Sequence, residues 1–247
     1  MITVNNLFFS YTQKPFIQDM SFSVSKGEIF GFLGPSGAGK STLQKILLGM
    51  ITDYQGSVMV NRTECKPRSI DQLLQMVGLE NDADKRVANY SKGMKARLNF
   101  IKALLHDPSL LFLDEPTSGL DPTNNRMMKD MILEEKKRGK TILLTTHNMQ
   151  DAAELCDRVA FIVNGQIFAL DSPHNLIMSK GAAKVTYTWL EKEGATLREK
   201  TASCPIDRIS KDESLQKLIA ENRITSIHSS EPTLNDIFVE VTGRTLV

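Results

Sequence analysis

Apolar runs set between turn residues divide the chain into short, regular segments. Near the start, ITVNNLFF, SFSV and EIFGFL combine alternation with aromatic residues, which predicts strands rather than helices. EIFGFL ends in GPSGAGKST, and an apolar helix, LQKILLGM, follows. GSVMVN is a further strand, and DQLLQMVGL a helix with its leucines and Met76 at helical spacing. A second helix spans 91–106 and is closed by His106-Asp107-Pro108. LLFLDEP and TILLTTH begin as unbroken apolar runs, which suits strands covered on both faces in a parallel sheet. Between them NNRMMKDMILEEKKRGK is an amphipathic helix ending at Gly139, and after them MQDAAELCDR is helical. RVAFIVNGQIFAL is a hairpin, with Asn164-Gly165 suited to a type I′ turn.

The pattern changes near residue 180. Acidic and basic residues mix, and buried-strand runs disappear. KVTYTWL and ITSIHSS remain as strands, DESLQKLIAENR and TLNDIFVEVTG as helices. The expectation is an α/β domain over 1–178 and a small α+β appendage over 179–247, without internal repeats. A chain of 247 residues is long enough for that division.

Composition adds exclusions. Apolar residues make up 41% and charged residues 24%, as in ordinary globular domains. A net charge of +1 provides no basic field for nucleic acid or an anionic membrane surface. No apolar stretch approaches the length of a bilayer span. MITVNNLFFSYTQ lacks the basic start and small-residue cleavage site of a signal peptide. Cys65, Cys156 and Cys204 show no CxxC spacing, so neither zinc nor a disulfide framework is suggested, and a reducing, cytoplasmic setting is expected.

The candidate chemistry gathers at the ends of the buried strands. Gly34–Ser41 matches G-x-x-x-x-G-K-[ST] between a strand and an apolar helix. Gly34, Gly37 and Gly39, with Pro35, Ser36 and Ala38 between them, let backbone N–H groups turn inward around a phosphate. The following helix, starting through Thr42, points its positive end at the same anion. Lys40 reaches the outer phosphates, and the Ser41 hydroxyl suits Mg²⁺. Asp114 and Glu115 end the strand LLFL at the sheet edge where ligands bind. Neighbouring strand residues point opposite ways, so the two acids divide the work. Asp114 is assigned to Mg²⁺ and Glu115 to polarising a water. His147 ends the next buried strand and is placed for a γ-phosphate or its attacking water. Tyr11, in a loop after the first strand, is a candidate to stack on an adenine ring.

One stretch resists a purely structural account. In YSKGMKARL the helix begins with Lys92, Lys95 and Arg97, and no acid follows until Asp107. Helix N-termini already carry partial positive charge, so early basic residues are unfavourable there. The start becomes favourable once an anion sits on it.

Together these residues resemble the ATP-binding cassette (ABC) family, the nucleotide-binding subunits of ABC transporters. GPSGAGKST resembles its Walker A motif, LLFLDEP its Walker B motif with the catalytic glutamate, and SGLD, with Asp121, its D-loop. TTH resembles its switch histidine, and YSKGMKAR its signature, here Ser91-Lys92-Gly93-Met94 in place of the usual LSGGQ. The resemblance covers residues 1 to about 178. The YSKGM form is similar to the branch whose cassettes pair with separate membrane subunits, often exporters of drugs, peptides, ions or lipids, and EPTLNDIFVEVTGR resembles C-termini of that branch.

The resemblance implies a P-loop NTPase core with a mixed or parallel sheet, an antiparallel β subdomain and a helical subdomain over about 69–106. It also implies an ATPase using ATP and Mg²⁺, peripheral on the inner face of the cell membrane. Its partners would be a transmembrane permease and a second ABC subunit, a homodimer before a heterodimer. Each ATP would lie between one P-loop and the other subunit's Ser91 and Gly93. One departure is large. VNRTECKPRS runs straight into IDQLLQMVGL, where the family has a strand, a Q-loop glutamine and most of the helical subdomain. Gln72 and Gln75 lie in the helix after the missing part, so neither is a good stand-in. Either the segment is deleted, or a mobile hinge is left out and its flanks are joined near Ser69-Ile70; the second is favoured. The alternatives in function are an ABC ATPase that moves no cargo and a catalytically impaired nucleotide sensor.

Overall fold

The computed structural model describes residues 1–60, 67–180, 183–193, 196–230 and 232–244. They form two compact units, Met1–Pro173 joined by 241–244, and His174–Glu240.

The first unit contains two sheets. Strands β1 (Ile2–Phe9), β2 (Ile17–Val24) and β4 (Gln55–Val60) form an antiparallel sheet in the order β2-β1-β4. Strands β3 (Ile29–Leu33), β5 (Leu110–Asp114), β6 (Thr141–Thr146), β7 (Arg158–Val163) and β8 (Gln166–Asp171) form the second, in the order β5-β6-β3-β7-β8. Its first four strands are parallel and β8 is antiparallel, turning on Asn164 and Gly165, both at positive φ. The core between these layers takes Phe22, Phe30 and Phe32, ring centroids 5.2–5.7 Å apart, together with Leu43 and Ile46 of α1 (Lys40–Leu47). Each such side chain stabilises the fold by roughly 2–3 kcal/mol through removal from water.

Helices α2 (Ile70–Met76), α3 (Lys92–Leu104), α4 (Pro122–Lys137) and α5 (Met149–Leu155) complete this unit. The backbone runs without a break from Ser69, extended at φ −63° and ψ 130°, into α2. Arg68 N–H donates to Leu105 O at 2.9 Å, and its guanidinium binds the fully buried Glu135 at 2.9 Å. Arg68 thus ties the segment before α2 to the end of α3 and to α4. Residues 61–66, with Cys65, lie outside the described residues.

The expectation that both apolar strands are covered on both faces holds for one. All of TILLTT is buried, whereas Leu110 and Phe112 of LLFL are only half-buried. The cause is position: among the described residues β5 is the last strand of its sheet, and β6 lies inside it.

Buried Lys140 donates to Asp107 and to Pro108 O at 2.8 Å, closing the turn into β5. The hydrogen bond from Lys140 holds the Asp107 carboxyl below its ordinary value. A depressed folded-state pKa contributes stability above the unfolded value, near pH 4, that is lost as pH falls through the folded one. Asp107→Asn should therefore lower the melting temperature at pH 7 and flatten its fall below about pH 4, read by thermal melts across pH.

In the second unit α6 (Pro173–Lys180) precedes β9 (Lys184–Glu193), β10 (Thr196–Pro205), α7 (Glu213–Ala220), β11 (Ile224–Ser230) and α8 (Leu234–Thr242). The sheet order is β10-β9-β11, all antiparallel. Val185, Tyr187 and Cys204 pack on Leu215 and Leu218 of α7, a small separate core. The units divide at Pro173/His174, not at 178/179, since α6 goes with the second; 241–244 go with the first.

Candidate nucleotide site

The loop between β3 and α1 is shaped by its glycines. A Cβ on Gly34 would lie 2.1 Å from Ile162 O on β7, so only glycine lets the loop pass there. Gly39, at φ 110°, occupies the N-cap of α1 without a side-chain cap. The first amides of the helix are thus left for an anion. The loop borders a cavity of about 500 Å³ lined by Pro35–Thr42, Asp114, Glu115, His147 and Phe16. Lys40 Nζ donates to Gly34 O at 2.6 Å and Pro35 O at 3.0 Å. Burial lowers its pKa, opposed by the Glu115 and Asp114 carboxylates.

The acids are braced from β6. Thr145 Oγ1 donates to Asp114, and Thr146 Oγ1 donates to Glu115 Oε2 at 3.2 Å. His147 Nδ1 lies 2.8 Å from the other Glu115 oxygen. Glu115 has φ 48°, left-handed for an L-residue, and its N–H donates to Thr145 O at 2.9 Å. The two acids face different partners, Asp114 within β5 and Glu115 beyond its end. The loop after Glu115 is tied down as well: Thr117 Oγ1 donates to buried Asp151 at 2.6 Å, and Lys129 pairs with Asp151 at 3.2 Å. Sequence reasoning did not single out Thr145, Thr146, Thr117 or Asp151. The available signal was a pair of polar residues ending a wholly buried strand.

The P-loop residues, Asp114, Glu115 and His147 thus come together. Tyr11 stands at the margin: it is 57% exposed, and its hydroxyl lies 3.1 Å from Thr42 Oγ1. Phe16, unmarked in the sequence, is the aromatic that lines the cavity, edge-on to Tyr11 at 5.4 Å. The signature residues lie outside that cavity. Ser91 caps α3, its hydroxyl accepting from Met94 N–H at 3.2 Å; Ser91 and Lys92 are exposed and Gly93 is buried. Lys92 reaches over Gly119, where a Cβ would meet its Nζ at 2.0 Å, and lines a second cavity of about 270 Å³ with Phe100, Phe112, Glu115 and Ser118. Asp121 caps α4, accepting from Asn124 N–H at 3.1 Å.

The ABC transporter family model matches residues 17–72 and 65–118, two stretches that overlap at 65–72. A fluoroquinolones export ATP-binding protein of Mycobacterium tuberculosis is 42% identical, covering 100% of this chain and 94% of that protein. Its alignment extends over 287 positions, more than the 247 residues of this chain. The Nod factor export ATP-binding protein I of Rhizobium meliloti is 33% identical over 99% of this chain and 89% of its own. Among solved structures, CbiO1 from Clostridium perfringens, part of the ABC transporter complex CbiONQ, aligns with a TM-score of 0.64 at 22% identity, over 72% of this chain and 90% of that one. A phosphate loop, two braced acids and a histidine on one sheet edge, with relatives matching along the whole length, give one conclusion: the chain belongs to the ABC transporter family, as one of its ATP-binding, ATP-hydrolysing subunits.

Proposed function

We propose that this chain powers export through a separate membrane-spanning permease, working head to tail with a second copy of itself on the inner face of the membrane. Among the described residues no helix is long and apolar enough to cross a membrane, so the passage for cargo falls to another subunit. The named relatives serve different cargoes, fluoroquinolones and Nod factors, and share the export drive.

One observation carries the pairing. Ser91 and the basic start of α3 are exposed and lie outside the phosphate cavity of their own chain. A helix start with Lys92, Lys95 and no acid in its first turn is electrostatically satisfied by an anion brought from outside. The triphosphate on a second copy's P-loop is such an anion.

The oxygen donors suit Mg²⁺. Among the described residues no three His, Cys, Asp or Glu side chains cluster as a cage, and the cavity offers the Ser41 hydroxyl and the Asp114 carboxylate. Mg²⁺ is commonly held this way, with phosphate and water completing the shell. Ser41 and Asp114 would hold it, and when bound it neutralises charge on the phosphates. Lys40 and the loop amides hold the phosphate oxygens. Glu115, aimed by Thr146 and His147, accepts a hydrogen bond from the attacking water. Loss of phosphate removes the anion bridging the two chains, they separate, and that opening drives the permease.

Mixing tests the arrangement. Lys40→Ala lacks a working P-loop and Ser91→Arg a working signature, so each should be inactive alone. A mixed dimer rebuilds one composite site, and combining the two purified proteins should restore turnover. A mixture as inactive as its components would overturn the shared site in a dimer of this chain.

A further inference from the structure

The signature helix and the D-loop of the same chain meet on one side chain, Asn124. Its Oδ1 accepts from Arg97 Nη1 of α3 at 2.6 Å, and its Nδ2 donates to Asp121 Oδ2 at 2.6 Å. Its backbone N–H donates to Asp121 Oδ1 at 3.1 Å. The carboxamide also fills the space beside Gly93: a Cβ there would lie 2.6–2.7 Å from all three of its terminal atoms. Gly93 is buried and two residues from Ser91. One amide group therefore touches the signature glycine, the arginine one turn further along α3, and the acid of the D-loop.

Stability alone is a poor reason for this arrangement. Arg97 sits against the first turn of α4, the positive end of that helix, where a cation is disfavoured. The buried Arg97 Nε has no hydrogen-bond partner among the described residues. A helix cap needs only the Asp121 carboxylate and a backbone amide. The added side-chain contacts fix the angle between two segments.

We propose that Asn124 is a positioning residue that locks Ser91 and Gly93 of the signature to Asp121 of the D-loop, so that both are presented to the second chain's nucleotide as one rigid surface. The inference rests on the shared-site reading above. Asn124 lies outside the residues lining the phosphate cavity; it acts through the geometry of Gly93 and Asp121. Alignment of this kind is steep, because a misplacement of about 1 Å can cost on the order of 100-fold in rate.

The test compares Glu115→Gln with Glu115→Gln/Asn124→Ala and Glu115→Gln/Asn124→Asp, the second keeping size and the Arg97 contact while losing the donor to Asp121. Dimer formation is followed by light scattering against MgATP concentration. ATP affinity of the isolated chain is measured by calorimetry at protein concentrations too low to dimerise, and melting temperature is recorded. Both double variants should need about tenfold more MgATP to dimerise, at unchanged affinity of the isolated chain. With Glu115 intact, Asn124→Ala should lower turnover at subsaturating MgATP by a similar factor, with the loss recovered in part as MgATP is raised. Gly93→Ala, which displaces the amide, should copy it. Dimerisation at the same MgATP concentration in all backgrounds would overturn the lock, including when melting temperature falls, since that outcome marks Asn124 as a helix cap only. Glu115→Gln that never dimerises would overturn the shared site itself, a different failure from equal dimerisation.

Discussion

Glu115→Gln should still bind MgATP, lose turnover by about 10²–10⁴-fold, and accumulate as a nucleotide-bound dimer. The amide is nearly isosteric with the carboxylate, so the hydrogen bond from Thr146 and the contact with His147 can be remade. It carries no charge and is a far weaker proton acceptor, so the attacking water is positioned without being activated. The phosphate cradle, Lys40 and Asp114 are untouched, and the bridging anion stays in place once two chains have closed on it. Light scattering with saturating MgATP measures the dimer, and phosphate release measures turnover. A variant that stays monomeric would exclude the sandwich for this chain, whereas one that dimerises and still turns over normally would move the catalytic role elsewhere.

Lys40→Ala should abolish tight ATP binding, by about 100-fold or more in calorimetry. Two contributions combine. Charge-assisted hydrogen bonds to phosphate are worth roughly 1.5–3 kcal/mol each. Lys40 also clasps the loop it belongs to, through Gly34 O and Pro35 O, so its removal loosens the amides that form the cradle. Burial already lowers its pKa, with Glu115 and Asp114 pulling the other way, so triphosphate binding should keep the ammonium charged. Lys40→Arg separates the contributions: it preserves charge but not the fit within the loop, and should recover only part of the affinity. Unchanged affinity in Lys40→Ala would place the phosphates elsewhere.

The meeting of the candidate residues at one strand edge was legible because its signals are local. GPSGAGKST, LLFLDEP and TTH each state a strand end and its chemistry within a few residues, and the structure brings Lys40, Asp114, Glu115 and His147 to one cavity. The threonines that aim the acids were not legible, since a threonine at a strand end announces nothing about the neighbouring strand it braces. Phe16 was overlooked for the same reason: its place beside the P-loop arises from the start of β2, not from any motif. In the second unit TLREKTASCP hid its strand character, because its charges fall on both sides of an open sheet with little apolar alternation. PHNLIMSK was missed for its brevity, and the division of the units moved with it. Asn124 was invisible in sequence altogether, since its meaning lies in a contact between two helices.

The left-handed backbone at Glu115 has an evolutionary consequence. That conformation costs an L-residue about 1–2 kcal/mol and costs glycine almost nothing. The carboxylate proposed to activate the water therefore stands on a position where glycine would relieve the chain. Selection for thermal robustness alone would favour that relief, at the expense of the chemistry proposed for the glutamate.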